Sequence, residues 1–263
     1  MQYSKIITHG ATFHADEILA IAVIHCFAIE LPIERKFANQ ITEAEYEDDT
    51  VFILDVGRKF EPSKSNFDHH QDGDVPATNV LILDYFCVDL ELKDKLKKYL
   101  FSYVDAVDRG HIVEGGETMR TPTFNSIIRN LNGVENGFET ALQVAKAALA
   151  GAINTAKMSI AGEKAWRGLE KVGSVAINHS TDIIPNWREL AEKEGIVMLV
   201  SPNLRGGYQI TSRDTDIFKV EPHPKQTFLH ANQFLGVYPD FENLARITMD
   251  DNGDITLFHK NGS

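Results

Sequence analysis

Residues 50–57 of the chain read Thr-Val-Phe-Ile-Leu-Asp-Val-Gly, and this stretch decides the fold class. Its apolar residues are continuous rather than alternating, which is typical of a strand covered on both faces in a parallel sheet. A shorter apolar run at residues 5–8 and a helical pattern over residues 15–29 precede it. This order of strand, helix and strand predicts an α/β domain with a mainly parallel sheet flanked by helices.

The second half of the chain predicts a smaller domain of mixed character. Residues 138–172 form a long, alanine-rich helical pattern that ends at Gly173. Beyond it, three apolar runs indicate strands, at 175–177, 196–200 and 208–211. A helix is predicted between the first two, at 186–193, and Asn252-Gly253 predicts a closing turn near the end. The predicted organisation is an α/β domain over 1–135, a linking helix over 136–173 and an α+β domain over 174–263.

The composition limits the classes of function. The chain has 263 residues, 43% of them apolar, which suffices for one large domain or two medium ones. Its net charge of -12 argues against charge-driven binding to long duplex nucleic acid or to anionic membranes. Cys26 and Cys87 lie in apolar surroundings, which favours buried thiols. Without a signal-peptide pattern or a membrane-length apolar run, we expect a cytoplasmic protein.

Acids and histidines gather where the predicted strands end. His9 follows the first strand, Asp55 ends the strand at 50–57, and Asn66-Phe67-Asp68-His69-His70-Gln71 follows a further extended stretch. In open α/β sheets, functional groups collect beyond the carboxyl ends of the strands. The remaining candidates lie on the turn after His9 and at the end of a helix: His14, Asp16, Asp105 and Asp108.

These residue types predict a site for divalent cations. Carboxylates and imidazoles without thiolates suit Mn²⁺ or Mg²⁺, with iron and cobalt as alternatives. Several acids in one site repel one another unless cations neutralise them, and two ions about 3.5–4 Å apart suit phosphoryl transfer to water. In this scheme Asp55 bridges the ions, and His69 or His70 contacts the scissile phosphate. Each residue alone has a plainer role, such as a helix N-terminal acid for Asp16, so the hypothesis rests on the joint pattern.

Four segments occur in a characteristic order. They are His-Gly-Ala-Thr-Phe-His-Ala-Asp-Glu at 9–17, Leu-Asp-Val-Gly at 54–57, Phe-Asp-His-His-Gln at 67–71 and Val-Asp-Ala-Val-Asp-Arg-Gly at 104–110. They resemble the motifs of the MYG1 family, also called UPF0160, in the DHH phosphoesterase group with RecJ-type nucleases and family II pyrophosphatases. Later segments at 185–189 and 227–236 extend the resemblance over most of the chain.

The resemblance implies a DHH-type domain, a metal-dependent phosphoesterase and 3′–5′ RNA exonuclease activity. It assigns metal binding to His9, His14, Asp16, Asp55, His69 and an acid of 105–108. Asp108 is preferred because its Asp-Arg-Gly segment is similar to an Asp-Thr-Gly metal motif of related oligonucleotide phosphodiesterases, and Asp105 remains the alternative. Asp68, His69 and His70 would take catalytic roles beside the metals and the phosphate.

The second domain is predicted to bind substrate, in a cleft between domains. Arg205-Gly206-Gly207 offers a guanidinium and backbone N–H groups to a phosphate, although a glycine-rich hairpin turn explains it equally. His230 follows a short strand-like run and would contact a terminal phosphate or carboxylate. Three residues of the middle region are further candidates: Arg120, Asn125 and Arg129.

We therefore predict an enzyme that hydrolyses phosphodiesters with two divalent cations, Mn²⁺ in preference to Mg²⁺. The expected activity is that of a 3′–5′ exonuclease on short single-stranded RNA or small nucleotides, because the acidic net charge disfavours a long polymer. One alternative is a phosphoanhydride hydrolase of the pyrophosphatase kind. Another is a non-catalytic sensor that binds metal and nucleotide. No membrane partner is expected, and a homo-oligomer is left open.

Overall fold

The computed structural model describes residues 3–114, 122–216 and 218–248. The chain divides into two compact units, Met1–Lys157 and Met158–Ser263, and contains two sheets with helices, so the predicted mixed α/β class is confirmed. Among the helices of the described residues, none combines the length and the hydrophobicity that crossing a membrane requires. The turn predicted at Asn252-Gly253 and the candidate Arg120 lie outside the described residues.

The first unit contains a five-stranded sheet with the order β2-β1-β3-β5-β4. Its strands are β1 (Lys5–His9), β2 (Ile33–Lys36), β3 (Val51–Leu54), β4 (Phe60–Glu61) and β5 (Asn66–Phe67). Neighbours from β2 to β5 pair in parallel, and only β4 is antiparallel to β5. Because β1, β3 and β5 are parallel and adjacent, their carboxyl ends meet at one edge of the sheet.

Seven helices accompany this sheet in the described part of the chain. They are α1 (Ala15–Phe27), α2 (Glu43–Glu47), α3 (Thr78–Phe86), α4 (Leu90–Leu96), α5 (Ser102–Asp108), α6 (Phe124–Asn130) and α7 (Gly137–Arg167). A π-helical segment, Lys97–Phe101, joins α4 to α5. The boundary between the two units falls within α7.

The continuous apolar run of β3 has a direct structural cause. Phe52 and Leu54 lie in the core that contains α1 and α3, whereas Val51 and Ile53 lie in a second cluster, with Tyr46 of α2, on the other face. All four strand residues are at most 2% exposed. Each such burial contributes roughly 1.5–3 kcal/mol, and only an apolar residue at every position obtains it on both faces.

The second unit contains a six-stranded sheet with the order β10-β11-β9-β8-β7-β6. Its strands are β6 (Glu170–Val172), β7 (Val175–Ile177), β8 (Met198–Pro202), β9 (Tyr208–Ser212), β10 (Phe228–Leu229) and β11 (Leu235–Tyr238), and its helices are α8 (Trp187–Lys193) and α9 (Phe241–Thr248). Only β7 and β8 pair in parallel among these strands. Trp187 of α8 packs on one face, beside Leu199, and Leu244 of α9 packs on the other, beside Met198.

The predicted helix over 138–172 is wrong at its C-terminal end. Helix α7 ends at Arg167, and residues 170–172 form β6, an antiparallel hairpin with β7. Gly173 has φ +55° and occupies the two-residue turn between the strands, a left-handed conformation that glycine adopts without strain. The pairing partner of β6 therefore decides its conformation, and helical periodicity does not encode that partner.

Candidate metal centre

Three neighbouring strands deliver the core of the candidate site. His9 is the last residue of β1, Asp55 follows β3, and His69 lies two residues after β5. The register pairs Thr8 with Leu54, and Leu54 with Phe67, so the residues that follow lie side by side at the sheet edge. The topology brings together these three residues, as their positions at the strand ends predict.

Asp55 lies at the middle of this group. Its Oδ2 is 3.4 Å from Nε2 of His9, and its Oδ1 is 3.3 Å from Nε2 of His69 and 3.5 Å from Nδ1 of His70. The hydroxyl of Thr78 donates to Oδ1 at 3.3 Å. The backbone of Asp55 has φ +55°, a left-handed conformation that aspartate tolerates better than most residues. The carboxylate therefore faces imidazoles on two sides.

The first turn of α1 adds two fully buried acids. Asp16 and Glu17 are both 0% exposed, and Oε1 of Glu17 is 3.0 Å from Nε2 of His9. Glu17 also accepts the backbone N–H of His14 at 2.8 Å, which closes the start of the helix. Glu17 is not among the metal ligands predicted from the sequence. Its proximity to His9 makes it a further candidate ligand, and the His-Ala-Asp-Glu spacing was the available signal.

The two acids of α5 have different surroundings. Oδ2 of Asp108 is 3.0 Å from Nε2 of His69, and Asp108 forms a potential metal-binding group with His14 and Asp16. Asp105 instead accepts the backbone N–H of Ala77 at 2.7 Å, just before α3, and lies 3.6 Å from Arg109. The structure thus places Asp108 in the cluster. Asp105, predicted as the alternative ligand, lies nearly one turn earlier on α5, beside the start of α3, and accepts a hydrogen bond there instead.

The carboxylate of Asp68 accepts hydrogen bonds from its own surroundings and does not face the other candidate metal ligands. Its Oδ1 lies 2.7 Å from Nδ1 of His70 and accepts the His70 backbone N–H, and its Oδ2 accepts the backbone N–H of Arg58 at 2.6 Å. Burial favours a higher pKa for Asp68, but these donors hold its pKa below the ordinary value. The bond from Asp68 fixes the His70 ring and raises the pKa of that imidazole.

The protein atoms alone leave this site electrostatically unbalanced. Burial, then repulsion from Asp55 and Asp108, raises the pKa of Asp16 well above its ordinary value. Burial lowers the pKa of His9 and of His69, but neighbouring carboxylates outweigh it and raise both pKa values to about 10. The imidazolium neighbours in turn lower the pKa of Asp55, against the effect of burial. The buried carboxylates of this cluster thus favour positively charged neighbours.

The donor set fits divalent metal ions. Both oxygens of Asp16 are buried without a hydrogen-bond partner among the described residues. Oδ2 of Asp55 and Nε2 of His9 and of His69 are also buried, and they lie at ion-pair distance from charged neighbours but lack hydrogen-bond geometry. Such orphaned polar atoms are costly, and a cation bound between them would satisfy them. Three groups have ligand atoms within 4.8 Å of one another: His9, His14, Glu17 and Asp55; Asp55, His69 and His70; His14, Asp16 and Asp108. The oxygen and imidazole donors match Mn²⁺ and Mg²⁺ chemistry.

A cavity of about 490 Å³ adjoins this cluster. Its lining includes Asp55, Asp68, His70, Tyr46, Asn39 and Arg58. Gly57, also in the lining, has φ +94°, and a Cβ there would collide with the Tyr46 hydroxyl. Glycine is therefore required at this position, and the close approach fixes the Tyr46 ring against the end of β3.

The predicted substrate residues of the second unit are not brought to one place. Arg205 and Gly206 line a separate cavity of about 720 Å³, but Gly207 and His230 are not part of its lining. The backbone N–H groups of Arg205 and Gly206 donate within the turn, to the side chain and carbonyl of Asn203. The turn thus uses two of the N–H groups that were predicted to bind phosphate, and the Arg205 guanidinium lies at the cavity.

Gly207 and His230 have local structural roles. Gly207 has φ +75°, and a Cβ there would lie 2.1 Å from the carbonyl oxygen of Tyr238, so the hairpin requires glycine. Nδ1 of His230 accepts the backbone N–H of Asn232 at 3.2 Å, and its ring packs 4.3 Å from that of Phe234. Packing within the β10–β11 hairpin accounts for both contacts.

Comparisons with known proteins concern mainly the first unit. Residues 5–79 match the family model MYG1_exonuc, described as an uncharacterised protein family (UPF0160). This range includes every candidate ligand except the acids of α5. The MYG1 protein of Chlamydia muridarum (strain MoPn / Nigg) is 27% identical over 142 residues, which cover 51% of this chain and 46% of that protein. The chain thus matches less than half of that relative's length.

A solved structure gives a weaker similarity. The pGpG-specific phosphodiesterase PggH from Vibrio cholerae superposes with a TM-score of 0.37 at 10% identity, over 80% of this chain and 82% of that chain. A superposition of this quality does not establish a common fold. The family match, in contrast, covers the segments that carry His9, Asp55 and His69. The match over residues 5–79 and the related protein support a relationship of this part of the chain to the MYG1 (UPF0160) family.

Proposed function

We propose that this protein is a metal-dependent phosphodiester hydrolase with a DHH-type first domain, and that it acts as a 3′–5′ exonuclease on short single-stranded RNA or small nucleotides. One observation carries the proposal: Asp55 is shared by two potential ligand groups, and the buried cluster around it contains orphaned carboxylate oxygens. A carboxylate shared in this way is typical of sites that hold two cations. The similarity of residues 5–79 to the MYG1 family supports the hydrolase class.

The residues that would hold two Mn²⁺ or Mg²⁺ ions are His9, His14, Asp16, Glu17, Asp55, His69 and Asp108. When bound, the ions would supply Lewis-acid stabilisation of the phosphoryl charge and activation of the attacking water. Asp55 would hold both ions in place, because its two oxygens face different imidazoles. Thr78 orients that carboxylate through its hydrogen bond to Oδ1.

His70 is the best candidate for direct contact with the scissile phosphate. Its side chain is 50% exposed, whereas that of His69 is 9% exposed and faces Asp55 and Asp108. Asp68 engages Nδ1 of His70, which leaves Nε2 to donate a hydrogen bond to a phosphate oxygen. The raised pKa of His70 favours the protonated ring, which binds an anion and can give its proton to the leaving oxygen.

The substrate preference is proposed from charge and from the second domain. The net charge of -12 disfavours binding of a long polyanion, so a short substrate fits better. We assign substrate contacts to the region over 174–263, where the Arg205 guanidinium lies at a cavity of about 720 Å³. A single arginine can bind a phosphate through two parallel hydrogen bonds.

The test is hydrolysis of a 5′-labelled oligoribonucleotide by the purified protein with Mn²⁺, and, separately, hydrolysis of pyrophosphate. We expect a ladder of shortened products from the oligonucleotide and no phosphate release from pyrophosphate. Asp55→Ala and His69→Ala should each lower the rate by at least about 100-fold, because each removes a group that would hold metal. Asp105→Asn is the matched control, since Asp105 contacts Ala77 and Arg109 rather than the cluster.

The alternatives give different results in the same assay. Phosphate release from pyrophosphate without a ladder would identify a phosphoanhydride hydrolase. Stoichiometric nucleotide binding without product under any metal would identify a sensor. Full activity of Asp55→Ala or of His69→Ala, with circular dichroism unchanged, would refute the two-metal site.

A further inference from the structure

Arg58 is a strained residue beside the metal centre. It has φ +55°, in the left-handed region, although it carries a full side chain. Such a conformation is unfavourable for residues other than glycine, asparagine and aspartate. The preceding residue, Gly57, also has positive φ, and there glycine is the residue type suited to that conformation. Arg58 has the same sign of φ without that advantage. Strained residues of this kind cluster at functional sites, where the surrounding structure maintains them.

Asp68 maintains the strained conformation. The backbone N–H of Arg58 donates to Oδ2 of Asp68 at 2.6 Å, and Oδ1 of the same carboxylate lies 2.7 Å from Nδ1 of His70. One buried carboxylate therefore positions both Arg58 and the histidine proposed to contact the scissile phosphate. A substrate group bound by Arg58 would lie close to the group bound by His70.

The Arg58 side chain is exposed and carries an uncommitted positive charge, unlike the other cations of this segment. Lys59 lies 4.0 Å from the Tyr46 ring centroid and 3.7 Å from Glu43, and Lys64 lies 2.8 Å from Glu47. Within the described ranges, no ion pair or hydrogen bond engages the Arg58 guanidinium. It thus remains available to an anionic ligand on a chain whose net charge is -12.

The cavity beside the metal cluster gives this charge a place to act. Its volume of about 490 Å³ lies in the range of small-molecule sites and exceeds what one phosphate group fills. Its wall contains neutral hydrogen-bonding groups, the Tyr46 phenol and the Asn39 amide, together with the Arg58 cation and the Asp68–His70 pair. This combination suits a sugar with an attached phosphate, next to a scissile phosphate at the metals.

We propose that Arg58 binds the phosphate that flanks the scissile phosphodiester. This inference rests on the proposed function, and it specifies the substrate class further: the site prefers oligonucleotides or dinucleotides with a second phosphate over isolated phosphodiesters. An arginine–phosphate pair is bidentate and charge-assisted, which accounts for the choice of arginine at a position where its backbone is strained.

Arg58→Gly is the decisive variant, because glycine adopts positive φ freely and the variant should melt at or above the temperature of the wild type. Three dinucleotide probes with a non-hydrolysable methylenephosphonate linkage are titrated calorimetrically into Mn²⁺-loaded protein: unphosphorylated, 5′-phosphorylated and 3′-phosphorylated. In wild type, one phosphorylated probe should bind more tightly than the unphosphorylated probe. Arg58→Gly should weaken only that probe, by about 10- to 100-fold.

Two further variants separate a direct contact from a general charge effect. Arg58→Lys keeps the charge but loses the planar fork, so its affinity should lie between those of wild type and Arg58→Gly. Lys64→Ala removes one charge from the same segment, but Lys64 is paired with Glu47 and does not line the cavity, so it should bind all three probes like wild type.

Equal weakening of all three probes, or no weakening of any, would overturn the proposal. The binding measurement does not depend on turnover. If the protein binds the probes in the expected pattern but hydrolyses no phosphodiester, the role of Arg58 stands and the proposed function fails. In an active enzyme, Arg58→Gly should raise KM for the phosphorylated dinucleotide with kcat within about twofold, as expected for uniform binding.

Discussion

Asp16→Asn should remove metal-induced stabilisation without destabilising the metal-free protein. Asp16 is 0% exposed, and neither carboxylate oxygen has a hydrogen-bond partner among the described residues. Its pKa is raised by burial and by Asp55 and Asp108. A raised pKa in the folded state means that this carboxyl contributes stability at low pH that is lost as the pH rises. At neutral pH the metal-free protein should therefore gain from the neutral amide.

The magnitude follows from mass action. At a Mn²⁺ concentration 100 times Kd, the metal stabilises the folded state by about 2.7 kcal/mol. In a unit the size of Met1–Lys157, each kcal/mol raises the melting temperature by about 2–4 °C, so wild type should gain roughly 5–11 °C. Loss of a metal-holding carboxylate should weaken binding about 100-fold. At the same Mn²⁺ concentration the stabilisation then falls to about 0.4 kcal/mol, or roughly 1 °C.

The assay is calorimetric melting of wild type and variant, in chelator and in Mn²⁺. Asp105→Asn is the control: this acid is on the same helix as Asp108 but bonds to Ala77, so the variant should keep the full Mn²⁺ shift. A full Mn²⁺ shift in Asp16→Asn would refute the reasoning. So would a metal-free Asp16→Asn protein that melts well below the wild type, because the buried carboxyl would then be favourable on its own.

Three further predictions concern the structure that supports the site. Gly57→Ala should destabilise the protein by at least about 1–2 kcal/mol, because φ is +94° and the new Cβ meets the Tyr46 hydroxyl. In melts of the double variant, Tyr46→Phe should restore part of this loss. Asn132→Ala should lower the stability of the fold by about 1–3 kcal/mol and reduce the rise in melting temperature caused by Mn²⁺, because the Asn132 side chain bonds both backbone groups of Phe13, next to His14. Asn130 is exposed, so Asn130→Ala should change neither quantity. The salt bridges to Lys36 and Lys5 lower the pKa of Glu45 to about 2. Glu45→Gln should therefore lower the melting temperature at neutral pH, and the difference from wild type should vanish as the pH falls from about 4.5 towards 2. A difference that stays constant with pH would contradict this prediction.

Secondary structure was predictable where burial itself enforces the pattern. Strand β3 is apolar at every position because both faces are covered, and α1 is apolar nearly all round because it is buried from Ala15 to Ile24. Strand β6 was assigned to a helix because three residues at the end of an alanine-rich segment carry no strand signal of their own. Its conformation depends on pairing with β7, which is a tertiary fact.

The candidate site was predictable to the extent that strand ends converge. His9, Asp55 and His69 follow three parallel neighbours, so the topology alone predicted their proximity. The choice between Asp105 and Asp108 depended on the direction of each side chain from α5, which the sequence does not specify. Arg58 and Tyr46 gave no signal in the sequence, because a positive φ and a cavity wall exist only in the folded chain.

The sequence by itself determined the α/β class, the first strand and helix, the buried strand β3 and the donor chemistry, since hydrophobic periodicity and residue type are local properties. Only the tertiary structure decided which donors face one another. It directs Asp108 to His69 and Asp105 to Ala77, and it places Glu17 beside His9. It also engages the N–H groups of Arg205 and Gly206, which were expected to bind phosphate, in hydrogen bonds to Asn203. The physical reason is that a side chain's partners depend on the direction in which its backbone holds it, and distant segments fix that direction together.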